Sequence, residues 1–303
     1  MSISSIKNSL PARARGAVMG HAAGNALGVP TEFLGTPAAI EAEYPGGLRD
    51  IRRRDTLRSP WDDDVALALL LAEELLQQEP DLERLTRRWI TWMDEDGRGI
   101  GGWTRTALLH LRTHGTPPAE SGGQAGNGAV MRCYPVGLRF HRQPKNLVAA
   151  TFHTAALTHP DPRCGWSAVA VNVALACFME GRRDFVGDVI EALRNNDAPA
   201  EVTDAVRRVP IMRRAELPLL GGAQGYTVHC MQIALWAAYH EPTLEGALIW
   251  LANAGGDTDT NAAVAGALLG ARDGDAEIPA RWLAELPRVE YLRDLGEQLA
   301  GSL

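Results

Sequence analysis

The sequence predicts an all-α protein, and three observations support this prediction. Apolar and small residues recur at helical spacing through most of the 303 residues. Stretches that alternate polar and apolar residues, as half-buried strands do, are short. No periodic repeat or low-complexity linker divides the chain. We therefore expect one compact multi-helix domain that covers residues 1–303.

The predicted helices follow one another with breaks at glycine and proline. The first covers residues 13–28 and ends before Pro30, because proline cannot continue a helix. The second, over residues 65–78, places four leucines on one face, Leu67, Leu70, Leu71 and Leu75. A loop rich in Pro, Gly and Ser is expected over residues 115–128. Further helices are predicted over residues 81–94, 104–114, 167–180, 185–195, 200–209, 227–239, 243–254, 262–271 and 280–300.

Two glycines inside the predicted helix 262–271 indicate close packing. Gly266 and Gly270 lie four residues apart, on one face of the helix, and are flanked by alanines. Glycine costs a helix about 1 kcal/mol relative to alanine. Its repeated use therefore predicts that another backbone approaches this face.

Composition narrows the functional classes. The formal net charge is −7, and the basic residues, nearly all arginine, form no cluster interleaved with aromatics, which argues against direct nucleic-acid binding. The four cysteines have no CxxC spacing and are expected to be buried free thiols in a reducing compartment. The first fifteen residues do not resemble a secretory signal, and we find no apolar run of the ~18 residues that a membrane helix needs. We predict a cytoplasmic protein without a membrane partner; the sequence indicates no oligomeric state.

Two acidic turns carry the strongest chemical signal. One contains Asp257, Asp259 and Thr260 directly before the helix 262–271, and the other contains Asp62, Asp63 and Asp64 directly before the helix 65–78. Either turn alone is typical of an acidic N-terminal cap without a metal. Together they predict two helix N-termini that converge on one cation centre, because crowded carboxylates repel one another unless a cation lies among them. Oxygen ligands without His or Cys favour magnesium, manganese or calcium over zinc.

Five motifs in the same order resemble the ADP-ribosylglycohydrolase family over nearly the whole chain. Residues 16–33 (GAVMGHAAGNALGVPTEF) resemble the family's GDALGxPxEF segment, and residues 61–73 (WDDDVALALLLAE) resemble its WTDDTxMALALAE segment. Residues 126–135 (GNGAVMRCYP), 157–159 (LTH) and 255–261 (GGDTDTN) match its other three motifs. The resemblance implies an all-helical hydrolase with two magnesium ions, or manganese in some members. It also implies hydrolysis of a glycosidic bond to the anomeric carbon of ADP-ribose, so that the expected partner is ADP-ribose or an ADP-ribosylated substrate.

The resemblance also assigns expected roles to individual residues. Glu32 falls where the family places a mobile-loop glutamate that gates or activates the site, and we expect it to be catalytic. Gly126, Asn127 and Gly128 should lie along the diphosphate or the distal ribose, and His159 near the ribose and phosphates. The expected metal ligands are Asp62, Asp63, Asp64, Asp257, Asp259 and Thr260.

The chain departs from the family motifs at four positions. Asp62 and Val65 replace the two threonines of TDDT, and Asn25 replaces the aspartate of GDALG. Gly99 stands where the family often has the acid of an Asp-Ile-Gly segment, which in the arginine-directed branch recognises or activates the scissile end. The sequence therefore argues most against substrates in which ADP-ribose is linked to arginine.

Three functions fit these observations. The first is a metal-dependent hydrolase that releases ADP-ribose or a related ribosyl group from a protein, a nucleic acid or a small molecule. The second is a catalytically silent member that binds ADP-ribose-like ligands. The third is a protein in which the acidic centre only stabilises the helices. The intact second turn and Glu32 favour the first.

Overall fold

The computed structural model describes residues 9–52, 60–119, 124–221 and 224–301, and this part of the chain is all-α, as predicted. Within these residues the β-structure consists of one isolated bridge between Gly126 and Tyr226. The helices are α1 Leu10–Gly28, α2 Pro37–Glu43, α3 Asp63–Leu75, α4 Leu82–Glu95, α5 Gly102–His114, α6 Tyr134–Arg139, α7 Pro144–Ala156, α8 Pro162–Met179, α9 Val186–Arg194, α10 Ala200–Arg208, α11 Thr227–His240, α12 Leu244–Ala252, α13 Thr258–Asp273, α14 Ala280–Leu283 and α15 Val289–Gly301.

The predicted C-terminal helix over residues 280–300 is wrong in one respect, because two helices, α14 and α15, occupy this segment. Pro287 lies between them and has no N–H to donate to a helical hydrogen bond. Arg288 follows with a φ of 57°, in the left-handed region. Helices α2, α6 and α7 were not predicted, and each has proline in its first turn, where its fixed φ favours helix initiation.

The close approach predicted from Gly266 and Gly270 is confirmed, and the partner is α1. A Cβ atom on Gly20 would lie 2.2 Å from the carbonyl oxygen of Gly266, closer than any two such atoms can come. The same crossing places Gly16 opposite Gly270 and Gly28 opposite Asp259. The two helices therefore run antiparallel with their backbones in contact, and the C-terminal end of α1 lies beside the second acidic turn.

The hydrophobic core extends around this pair of helices. Helix α13 also packs against α8, α11 and α12, and it is buried along almost its whole length. The four cysteines are buried free thiols, as predicted. This packing leaves the N-terminal end of α13 as a fixed platform for the acidic turn that precedes it.

Contrary to the sequence analysis, one helix among the residues that the structure describes is long and apolar enough to cross a membrane by length and composition. It is α8, with a mean hydropathy of 1.2 over 18 residues. The protein buries 72% of this segment, which is typical of a core helix. Helix α8 packs against α7, α11 and α6, so its apolar surface is already covered by protein.

Candidate metal centre and cleft

The structure brings the two acidic turns together, although about 190 residues separate them in sequence. Asp62 is the N-cap of α3, and Asp63 and Asp64 occupy its first turn. Asp257 is the N-cap of α13, and Asp259 lies in its first turn. The Thr260 hydroxyl lies 3.4 Å from the Asp64 Oδ2 atom and joins the two turns directly.

Burial and mutual repulsion disfavour the charged forms of these carboxyl groups. Burial raises the pKa of Asp62 to about 6, with Asp257 adding repulsion, although an Asn25 hydrogen bond and the charge of Arg98 oppose the rise. Burial followed by repulsion from Asp62 raises the pKa values of Asp63, Asp64 and Asp259 well above the usual range. A group of like charges at this density requires protons or cations to be stable.

Unpartnered oxygen atoms show that this donor set fits a cation. Asp64 Oδ1 and Asp259 Oδ1 are buried and accept no hydrogen bond from the protein. A buried carboxylate oxygen without a partner is costly, and a divalent cation would satisfy it. Ligand oxygens of Asp62, Asp63 and Asp64 lie within 4.8 Å of one another, and so do those of Glu32, Asp257 and Asp259. These groups could hold metal ions.

Glu32 belongs to the second of these groups because its loop is fixed on both sides. It begins a 3₁₀ turn, Glu32–Leu34, that follows α1. The buried Thr31 hydroxyl lies 2.7 Å from the Ala252 carbonyl oxygen. On the other side, the Gly256 N–H donates to the Gly35 carbonyl oxygen over 3.1 Å. The loop thus places the Glu32 carboxylate beside Asp257 and Asp259.

The loop 126–128 reaches the same centre. The Asn127 N–H donates to the Gly225 carbonyl oxygen at 2.8 Å, which ties this loop to the segment before α11. The Asn127 side-chain amide donates to Asp257 Oδ2 at 2.7 Å. The side chain of Asn127 therefore orients a carboxylate of the second acidic turn, a contact that the sequence analysis did not predict.

A relay of hydrogen bonds fixes the protonation state of His159. Arg132 is fully buried, packs over the Trp89 ring and donates to the Thr158 hydroxyl at 2.6 Å. Arg132 can only donate, so it occupies a lone pair of the Thr158 hydroxyl, whose own proton can go to His159 Nδ1, 2.8 Å away. Burial lowers the pKa of His159 to about 3, so the ring is neutral at physiological pH, and with Nδ1 accepting from Thr158 its one proton lies on Nε2. His159 therefore presents an N–H donor near Gly126 and Gly128.

Replacing Thr158 by Val is expected to release the His159 tautomer, because the methyl group offers no proton to Nδ1. The nitrogen chemical shifts of ¹⁵N-labelled imidazole should change from an Nε2–H tautomer to a mixture. The binding free energy of ADP-ribose, the expected ligand, should weaken by about the 0.5–1.5 kcal/mol of one hydrogen bond. The matched Thr158→Ser variant keeps the hydroxyl and should retain both properties. An unchanged tautomer in the Thr158→Val protein would contradict this relay.

These groups line one cleft of about 360 Å³. Five of the six predicted metal ligands form its acidic wall, and Asp62, buried behind this wall, is the exception. The predicted substrate-binding residues line another part: Gly126, Asn127, Gly128 and His159. Phe33, Trp103 and Thr104 also line the cleft, and Phe33 is 79% exposed at its mouth. Phe33 is the last residue of the first family motif, whereas Trp103 and Thr104 lie outside the motifs, directly after Gly101 and Gly102.

Sequence and structure comparisons place this arrangement in a known family. The family model described as ADP-ribosylglycohydrolase matches residues 7–303. The chain belongs to the ADP-ribosylglycohydrolase family. It is similar to the ADP-ribosyl-(dinitrogen reductase) glycohydrolase of Rhodospirillum rubrum, with 31% identity over 297 residues that cover 96% of this chain and 95% of the relative. The predicted family resemblance is confirmed.

Other relatives show the range of the family. The chain is 27% identical to the ADP-ribosylarginine hydrolase Tri1 of Serratia proteamaculans (strain 568), over 95% of this chain and 78% of that protein. It is 25% identical to the ADP-ribosylhydrolase ARH3 of Danio rerio, over 95% of this chain and 90% of that protein. A solved structure named ADP-ribosylglycohydrolase-related protein complex superimposes with a TM-score of 0.81 at 29% identity, covering 97% of this chain and 98% of that one. Two of these relatives are named for their substrates, ADP-ribosylated dinitrogen reductase and ADP-ribosylarginine.

Proposed function

We propose that this protein is a divalent-cation-dependent hydrolase that cleaves the glycosidic bond between the anomeric carbon of ADP-ribose and an attached group. The observation that supports this proposal most is the position of Glu32. The carboxylate of Glu32 lies beside the second acidic turn and lines the same cleft as the loop 126–128 and His159. A proton acceptor, a cation site and polar groups for the ligand are thus gathered in one place.

The donor set suits two hard cations, and we propose magnesium or manganese. The residues that would hold them are Asp62, Asp63, Asp64, Asp257, Asp259 and Thr260. When bound, such ions would fix the ribose hydroxyls and stabilise negative charge that develops during the reaction.

The protein's own residues supply the proton transfers and the positioning. A water molecule adds to the anomeric carbon while the bond to the attached group breaks through an oxocarbenium-like state. Glu32 accepts a proton from this water, the departing group leaves with the bonding electrons and takes up a proton from solvent, and Glu32 then returns its proton to solvent, so that no net proton is gained or lost. The Nε2–H of His159 and the backbone of Gly126 and Gly128 hold the remainder of ADP-ribose along the cleft.

The experiment that tests this proposal measures release of ADP-ribose from conjugates through arginine, serine, an acetyl group and a nucleic acid. Each conjugate is assayed with magnesium and with a chelator. We expect magnesium-dependent release from at least one conjugate, and weak or no release from the arginine conjugate, because Gly99 offers no acidic side chain at the cleft wall. Tight binding of free ADP-ribose without release from any conjugate would instead indicate the silent binding protein.

Binding of magnesium or manganese is expected to stabilise the fold. A ligand that binds only the native state adds about 2.7 kcal/mol at a concentration 100-fold above its Kd. The raised pKa values mean that the folded protein binds more protons than the unfolded protein does. Without metal, its free energy of unfolding should therefore fall as the pH rises through about 6, the pKa of Asp62. The metal-induced rise in Tm should therefore be larger at pH 8 than at pH 5.

The Asp259→Asn variant provides the control for this prediction. It removes one buried repulsive charge, so its Tm in chelator should equal or exceed that of the unmodified protein, while its response to metal should be reduced. Identical melting curves of the unmodified protein with magnesium, with manganese and with chelator would count against an occupied cation centre.

A further inference from the structure

Asn25 joins the two acidic turns from behind. It is fully buried near the C-terminal end of α1. Its side-chain amide donates to Asp62 Oδ1 at 2.8 Å, and the Asp62 N–H donates back to Asn25 Oδ1 at 3.1 Å. The same amide lies 3.4 Å from Asp259 Oδ2. With two N–H groups, one neutral side chain can serve a carboxylate of each turn.

Only a neutral donor is compatible with these contacts. An aspartate at position 25 would place a carboxylate oxygen about where the amide nitrogen is, 2.8 Å from Asp62 and 3.4 Å from Asp259. Three carboxylates would then meet in a buried region without a donor among them. Shortening Asp62 to threonine would remove the closer of these two conflicts, because a hydroxyl can donate to a carboxylate at position 25.

Gly99 lies close to the side chain of Asp62, the hydrogen-bond partner of Asn25. A Cβ atom on Gly99 would lie 2.8 Å from Asp62 Oδ2 and 2.6 Å from Asp63 Oδ1. The carboxylates of Asp62 and Asp63 therefore occupy the space into which any side chain at position 99 would project. Asn25, Asp62 and Gly99, which depart from the family motifs at three separate places in the sequence, are neighbours in the fold.

We propose that Asn25 and Asp62 are an exchanged pair, in which the single carboxylate of the pair lies on α3 instead of α1, and that Asn25 is the positioning residue that holds this carboxylate and the second acidic turn together. The exchange keeps one carboxylate within the pair, and with Asp62 in this position a side chain at position 99 would meet its carboxylate. The role of the cation in this pair rests on the proposed function. The pair itself is defined by contacts that hold without any ligand.

The test is a double-mutant cycle of the full-length protein with Asn25→Asp, Asp62→Thr and both changes together. Two quantities are measured at pH 8, the Tm in chelator and the Kd for Mn²⁺ from its electron paramagnetic resonance signal. Asn25→Asp should lower the Tm in chelator and bind Mn²⁺ about tenfold more tightly, because it adds a charge. Asp62→Thr should not lower the Tm and should bind Mn²⁺ about tenfold more weakly, because it removes one.

The double variant decides the matter. It has the same number of carboxylates as the unmodified protein, and both its Tm and its Kd for Mn²⁺ should return close to the original values. Additive effects, or an Asn25→Asp protein whose Tm in chelator is not lowered, would overturn the proposal. If Asn25→Asp does not fold, recovery of a folded double variant supports the pair, and failure of both overturns it.

Asn172→Asp is the matched control. Asn172 is also a fully buried asparagine whose amide donates two hydrogen bonds, to Cys133 and Thr151, away from the cleft. This change should lower the Tm without altering the Kd for Mn²⁺, and Asp62→Thr should not rescue it. Because no reading in the cycle depends on hydrolysis, a failure of the pair and a failure of the proposed enzymatic activity are distinguishable.

Discussion

The Glu32→Gln variant is expected to hydrolyse the preferred ADP-ribosyl conjugate at least ~100-fold more slowly than the unmodified protein. Glutamine keeps the size of the side chain but cannot accept a proton, and general base catalysis is typically worth 10²–10⁴-fold in rate. The loop should remain in place, because Thr31 and Gly35 fix it through contacts that do not involve the carboxylate. We therefore expect nearly unchanged Tm and ADP-ribose affinity, measured by thermal melting and calorimetry.

The matched control for this variant is Glu41→Gln. Glu41 is an exposed glutamate on α2, outside the cleft, where it accepts a hydrogen bond from the Gly46 N–H. Its replacement should leave hydrolysis within about twofold of the original rate, as is usual for a surface change. A Glu32→Gln protein with nearly full activity would remove Glu32 from the mechanism. An aspartate of the turn 62–64 would then be the next candidate for the base.

The Gly20→Ala variant is expected to lose about 3 kcal/mol or more of its free energy of unfolding. Alanine favours an isolated helix by about 1 kcal/mol, so propensity alone predicts the opposite sign. The added Cβ would lie 2.2 Å from the carbonyl oxygen of Gly266, and both groups belong to rigid helix backbones. Helices α1 and α13 would have to separate, at a cost at the upper end of that for overpacked cores. Urea denaturation measures this loss.

Gly187→Ala is the control for this steric argument. Gly187 lies in α9, and a Cβ atom there would have nothing within 4 Å. This variant should be as stable as the unmodified protein, or up to about 1 kcal/mol more stable. Because α13 carries Asp259, the Gly20→Ala protein should also respond less to magnesium in a melting experiment. A Gly20→Ala protein of original stability would show that these helices can separate freely.

Much of the local structure could be predicted from the sequence. Apolar spacing identified most of the long helices, because the i, i+3 and i+4 positions of a helix share one face whatever packs against it. The acidic turns were recognisable for the same reason, since capping depends on a few adjacent residues. Helix prediction failed where helical spacing and a helix-breaking residue occur in the same segment. The segment 280–300 has helical spacing throughout, yet Pro287 divides it into α14 and α15.

The sequence also identified most of the residues that line the cleft, because ordered motifs identify a family whose members share their geometry. Asp63, Asp64, Asp257, Asp259, Thr260 and Glu32 line the cleft as a group. Their roles as metal ligands and base stay predictions until the experiments above are done. The position of Asp62 behind the acidic wall was not foreseen, because adjacent residues at a helix terminus point in different directions and only the packing shows which of them faces the cleft.

By itself, then, the sequence determined the all-α class, the family and the residues that form the two acidic turns, since each depends on neighbours along the chain. Only the tertiary structure decided which distant side chains touch. The contact of Asn25 with Asp62 and Asp259, and the relay from Arg132 through Thr158 to His159, join separate segments of the chain. The contact between Asn25 and Asp259 depends on how closely α1 and α13 approach, and that distance is set by glycine pairs such as Gly20 and Gly266, whose partners no local pattern can specify.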